Sequence, residues 1–171
     1  MRNTFDRFNG RHQDYQAARP SYAQEFLDWL GELYAPPERY TAADIGSGTG
    51  KLSAQLLAAG FRVCGVEPNP DMRGAAEALL GGDPRFSSSN GTDHDTGLPD
   101  RSVDMVAAAQ AFHWFDGPAF ARECRRILRP GGRAVLVWNV RGSAPMNQAL
   151  AQVFREHCPS FHGFTGGMGE D

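Results

Sequence analysis

Ala43-Asp44-Ile45-Gly46-Ser47-Gly48-Thr49-Gly50 is the stretch whose reading decides the fold. Residues 39–43 read as the start of a short strand. Lys51 to Ala59 carries Leu52, Leu56 and Leu57 at helical spacing, and Gly60 is placed to close the helix. A strand, a glycine turn and a helix in succession mark the junction where an α/β sheet offers a ligand bare backbone. Glycine takes positive φ readily and has no Cβ to hold a ligand off. The helix that follows directs unpaired N–H groups, and the positive end of its dipole, toward the same spot.

The spacing decides against two ligand classes. A dinucleotide fingerprint requires a glycine at the sixth position, which counted from Gly46 is Lys51. A phosphate loop requires Gly-Lys followed by Ser or Thr, and Gly50-Lys51 is followed by Leu52. Asp44 is an acid at the end of a strand that should be buried. A carboxylate there repels a pyrophosphate and suits a cationic or amino-bearing ligand. Glu67 closes a second strand, Phe61 to Val66, where an acid can accept both hydroxyls of a ribose.

Asp44-Ile45-Gly46-Ser47-Gly48-Thr49-Gly50 together with Gly65-Val66-Glu67-Pro68-Asn69 resembles the class I S-adenosylmethionine-dependent methyltransferases. The pair His113-Trp114 after the fourth strand narrows the resemblance to their small-molecule, methyltransferase type 11-like branch. It runs from about Tyr15 to Arg141, and Leu128-Arg129-Pro130-Gly131-Gly132 is a further mark of it. The fold it implies is a three-layer, Rossmann-like, doubly wound α/β sheet with parallel strands in the order 3-2-1-4-5. The cofactor it implies is S-adenosyl-L-methionine, and the activity is methyl transfer by in-line displacement to an O or N atom of a small metabolite.

Composition fits one soluble domain of 171 residues, 41% hydrophobic and 22% charged, spanning 1–171. A net charge of −3 supplies no basic field for nucleic acid, and the arginines that outnumber the single lysine are scattered. No apolar run approaches the roughly 20 residues that span a bilayer. The three cysteines, Cys64, Cys124 and Cys158, are widely spaced and suggest neither a disulfide framework nor a metal site. The resemblance implies a small-molecule acceptor as the partner, and the composition points to no nucleic acid, membrane or metal and to the cytoplasm.

Residues 1–20 read as a segment that folds over the site. Tyr22 to Tyr34 follows as a helix with Phe26, Trp29, Leu30 and Leu33 on one face and a Ser21/Gln24 capping box. The resemblance places Tyr15, Arg19 and Tyr22 near the methionine end of the cofactor. Arg19 has two open readings, a planar fork on the methionine carboxylate or a surface arginine beside a helix. Pro70 to Leu80 reads as a helix, Arg85 to Ser89 as a weak third strand, and Asn90 to Asp100 as a loop. By resemblance this loop carries the adenine contact, but Thr92 stands in the usual acid slot, Asp93 in a small-residue slot and His94 in a glutamate slot.

Val103 to Ala109 reads as the fourth strand, with Ala109 at its end small enough for close cofactor approach, and Gln110, His113 and Trp114 beyond it are expected to face the reactive end. His113 is the candidate base, or else a side chain bonded to local backbone, and Trp114 either lines the site or is plain core. Pro118 to Leu128 reads as a helix whose Arg122, Arg125, Arg126 and Arg129 form a solvated face. Leu128 to Gly132 reads as a tight turn, and Arg133 to Val140 as a fifth strand buried on both sides. Ala144 to His157 reads as a last helix, and 159–171 as a loose tail. The family's two antiparallel strands do not follow, which suggests a truncated chain or a naturally shortened one, and aggregation or a homodimer through an exposed sheet edge unless the last helix covers it.

The candidate set is thus Arg19, Asp44, Gly46, Ser47, Gly48, Gly50, Glu67, Pro68, Thr92, Asp93, Ala109 and Gln110 for the cofactor. Tyr15, Tyr22, His113 and Trp114 are the candidates for the substrate, and His113 for catalysis. Two rivals stand beside this reading, a cofactor-binding but inactive module and a nicotinamide-dependent oxidoreductase. Lys51, Asp44 and the lack of a Tyr-x-x-x-Lys pair count against the second.

Overall fold

The computed structural model describes residues 21–139. The chain divides into two compact units, Met1–Val137 and Trp138–Asp171, and the account below concerns the first. The elements in chain order are α1 (Gln24–Leu33), β1 (Thr41–Ile45), α2 (Lys51–Ala58), β2 (Arg62–Val66), α3 (Pro70–Leu80), β3 (Phe86–Ser89), β4 (Val103–Ala109), α4 (Gly117–Ile127) and β5 (Leu128–Val137). All five strands are parallel, in the order β3-β2-β1-β4-β5. This is the expected doubly wound sheet.

Side chains alternate across the central strands and so build two cores. Ala42, Met105 and Ala107 face Leu30 of α1, Leu52, Leu56 and Leu57 of α2, and the fully buried Phe61. Ala43, Ile45, Val66, Val106 and Ala108 face Phe120, Cys124 and Ile127 of α4. Both faces of β1 and β4 are covered, as a parallel sheet requires.

Several local expectations need correction. Strand β1 covers Thr41–Ile45, so Asp44 lies within it, and Arg39 belongs to a one-turn helix, Pro37–Arg39. Helix α1 starts from Ala23 without a side-chain cap, in place of the Ser21/Gln24 box; Gln24 instead bonds Asp28. It buries Leu27 and Leu30, while Trp29 is half exposed, because the face turned to the sheet is centred one residue away from the expected one. Leu128 to Gly132 is not a separate turn but the irregular start of β5, where Val103 pairs with Leu128 and Met105 with Arg133. Gly132 fits there because a Cβ would meet the Asp104 carbonyl oxygen at 2.8 Å. Strand β5, at the edge of the sheet among the described residues, is half buried or exposed along its length. Two of the four arginines expected on a solvated helix face are not merely solvated: Arg126 of α4 pairs with Glu123 and Asp100, and Arg129, which lies in β5, with Asp104.

The predicted helix at 144–157, the tail at 159–171 and the segment 1–20 lie outside the described residues.

Candidate functional site

The carboxyl ends of β1, β2 and β4 open onto one cavity of about 180 Å³. Strand order reverses between β1 and β4, so the helices that follow leave to opposite faces and a crevice remains between their starts.

Each wall has a local cause. The turn after β1 supplies Gly46, Ser47, Gly48 and Thr49. Gly48 has a φ of +56°, and a Cβ there would find only the Met72 sulfur, at 3.9 Å. Its backbone is therefore open to a ligand. Gly50 has a different duty: it starts α2 in the left-handed region, and its Cβ would meet Leu80 at 2.8 Å and Ala76 at 3.1 Å. It lets α2 and α3 approach each other and is not among the lining residues.

Glu67 follows β2 and is 7% exposed. Its Oε2 accepts the Gly48 N–H at 2.9 Å, and its Oε1 accepts the Asn69 N–H at 2.9 Å. Two backbone donors therefore hold the carboxylate, and each oxygen keeps a lone pair for a ligand. Burial raises its pKa, opposed by these two bonds and by Arg73. Asn69 in turn caps α3, accepting from the N–H groups of Asp71 and Met72 at 3.0 Å each.

Asp44 lies deeper, 1% exposed, with its Oδ2 accepting the Ser53 hydroxyl at 2.7 Å. Burial pushes its carboxyl up to about 6; the Ser53 bonds pull it down, and the charge of Glu67 adds to the rise. The two acids share one cavity. A cation placed between them would relieve both desolvation and mutual repulsion.

The remaining walls come from the loop after β3 and the segment after β4. Thr92 closes a small turn, donating its N–H to the Asp95 carbonyl at 2.8 Å and accepting the Asp95 N–H at 3.1 Å. Asp93 accepts the Asp116 N–H at 3.0 Å and stands 3.0 Å from His94 Nδ1, with His94 itself exposed. After β4, Gln110 has a φ of +55°, uncommon for a non-glycine residue, and its N–H donates to the Val137 carbonyl at 2.8 Å. Such strain is typical of sites that hold a ligand.

Of the expected residues, Asp44, Gly46, Ser47, Gly48, Glu67, Pro68, Thr92, Asp93, Ala109, Gln110, Tyr22 and Trp114 line the cavity together. Gly50 and His113 do not. His113 lies in a one-turn helix, Phe112–Trp114, with its ring 4.9 Å from that of the lining Trp114. Tyr15 and Arg19 fall outside the described residues.

Sequence reasoning missed Thr49, Lys51, Leu52, Asn69, Met72, Ala111 and Phe115 as lining residues. It also missed Ser53, the partner of Asp44. Met72 and Ser53 each follow a helix start by two residues, a position that points back toward the strand ends and could have flagged them.

Comparison with known proteins agrees with this geometry. Residues 43–136 match the family model described as a methyltransferase domain. An uncharacterized methyltransferase of Mycobacterium tuberculosis is 42% identical over 127 residues, which cover 74% of this chain and 49% of that protein. An uncharacterized methyltransferase of Schizosaccharomyces pombe is 31% identical, over 84% of this chain and 57% of its own. The chain thus spans about half the length of the curated relatives it matches. A solved structure from Anaeromyxobacter dehalogenans, provisionally named a type II methyltransferase, is 36% identical with a TM-score of 0.63, over 81% of this chain and 56% of its own. One from Methanococcus maripaludis, provisionally named an S-adenosyl-L-methionine-dependent methyltransferase, is 21% identical with a TM-score of 0.65, over 92% and 74%. At that identity it shares the fold.

Proposed function

The chain belongs to the methyltransferase-domain family, and from that premise we propose that it binds S-adenosyl-L-methionine and transfers its methyl group to an O or N atom of a small metabolite. One observation carries the cofactor assignment: Asp44 and Glu67, both buried, line a single cavity with the open backbone of Gly48. A diphosphate would meet two carboxylates there. A sulfonium nucleoside brings a positive charge and a ribose, which those same groups can neutralise and bond.

The residues present fit that cofactor. Glu67, preset by the Gly48 and Asn69 N–H groups, would accept the ribose hydroxyls. The turn from Gly46 to Gly48 would lie against the amino-acid portion, with Asp44 balancing its ammonium directly or through water. Thr92 and Asp93 would border the base. Ala109 and Gln110 would face the reactive end, beside Tyr22 and Trp114 on the acceptor side. The sulfonium makes the methyl carbon electrophilic without a metal. The chain's contribution is to hold acceptor and methyl in line at about 3–3.5 Å and to exclude water. A carboxylate acceptor needs no base. For a hydroxyl or an amine we assign His113, whose ring lies against that of the lining Trp114.

Calorimetric titration with S-adenosylmethionine and with a nicotinamide dinucleotide tests the cofactor. We expect binding of the first alone; binding of the second alone would reverse the assignment. Labelled methyl transfer to a panel of carboxylates, alcohols and amines then tests the activity. Cofactor binding without transfer would favour a binding module.

A further inference from the structure

Helix α4 fastens the loop after β3 at three points. The Asp116 N–H, at the helix start, donates to Asp93 at 3.0 Å. Two turns on, Glu123 Oε1 accepts both the N–H of Thr96, at 2.9 Å, and its hydroxyl, at 2.5 Å. One turn further, Arg126 bonds Asp100 at 2.7 Å.

The middle fastening is the deep one. Thr96 is fully buried and Glu123 only 6% exposed, among the apolar Phe120, Cys124 and Ile127. A lone acid is costly in such a place unless several donors meet it. Here Arg126 grips both carboxylate oxygens, its Nε donating to Oε2 at 2.8 Å and its Nη2 at 2.6 Å to the same Oε1 that accepts from Thr96. Arg126 and Thr96 together hold its carboxyl at about 2, so it stays ionised at any working pH. Thr96 passes the constraint on: its carbonyl accepts the Ser89 hydroxyl at 2.8 Å, and its backbone packs so close to Gly91 that a Cβ there would meet the Thr96 oxygen at 2.5 Å. The residues between Gly91 and Thr96 include Thr92 and Asp93, the cavity wall.

We infer that Glu123, which does not line the cavity, is a positioning residue that sets Thr92 and Asp93 against the cofactor's base and so determines which base the site prefers. The inference rests on the nucleoside cofactor proposed above. A loop held only at its ends would let these two side chains drift, and hydrogen bonds to an exocyclic amino group fade within a few tenths of an ångström.

The test compares S-adenosylhomocysteine with its analogue carrying hydrogen in place of the adenine amino group, by calorimetry on the full chain. Wild type should prefer the amino-bearing ligand by about tenfold, the worth of one good hydrogen bond. In Glu123→Ala the ratio should fall to near one while the analogue's own affinity changes by less than about threefold. Glu123→Gln keeps an oxygen for Thr96 and should retain most of the preference, a rescue that lost helix stability alone would not follow. A folded Glu123→Ala with the wild-type ratio overturns the inference. Should that variant fail to fold, Thr96→Val removes one of the two Glu123 bonds and should lower the ratio by about threefold; an unchanged ratio there overturns it equally. Wild type binding both ligands alike defeats the inference and leaves the cofactor assignment standing, whereas binding of neither defeats both.

Discussion

The Gly48 N–H donates to Glu67 Oε2 at 2.9 Å, tying the turn after β1 to the end of β2 at the cavity itself. The bond spans 19 residues of sequence and joins the group a cofactor would approach to the group that would hold it. Removing either partner should therefore damage binding and the local fold together.

Glu67→Ala frees the Gly48 and Asn69 N–H groups in a buried place. We expect a loss of about 1–3 kcal/mol of stability in urea unfolding and no measurable S-adenosylmethionine binding by calorimetry. Wild-type affinity in this variant would remove Glu67 from the ribose site.

Glycines 48 and 50 should separate function from stability. Gly48→Val puts a side chain into open space at a left-handed position, costing about 1–2 kcal/mol while blocking the ligand. Gly50→Ala adds to the same backbone penalty a clash with Leu80 and Ala76, and should cost about 1–3 kcal/mol more. Binding should vanish in the first variant and persist in the second at temperatures where it is folded.

Asp44 predicts a pH dependence. Its carboxyl titrates at about 6 in the folded chain, above its ordinary value, so the folded state holds the proton more tightly than the unfolded one. The associated stability is full below about pH 4 and is lost as pH rises through 6, a change on the order of 3 kcal/mol. Asp44→Asn should flatten the melting temperature across that window. Affinity for a cationic cofactor runs the other way, rising as Asp44 ionises, and a wild-type affinity constant from pH 5 to 8 would contradict the role given to it.

Trp114 is half exposed and lines the cavity, so its truncation costs the core little. Trp114→Ala should raise the acceptor KM by about tenfold, a loss of aromatic contact worth about 1.4 kcal/mol, with cofactor affinity nearly unchanged.

What the sequence determined by itself was local or periodic. The bounds of α3 and β4 and the open turn between two acids follow from residues a few positions apart. So do β1, β2 and β4, short and largely apolar runs of five to seven residues between helices. Tertiary structure decided which helical face meets which loop. Glu123 sits at the i+3 position from Phe120, within the apolar stripe of α4, and only the arrival of Thr96 and Arg126 explains an acid there. Gly50 reads as one more ligand-facing glycine until α3 is seen packed against it. His113, adjacent in sequence to a lining residue, is turned out of the lining by a single turn of helix. A backbone conformation is set by neighbours within a turn, whereas a buried charge or a close approach is set by partners that the chain brings together only when it folds.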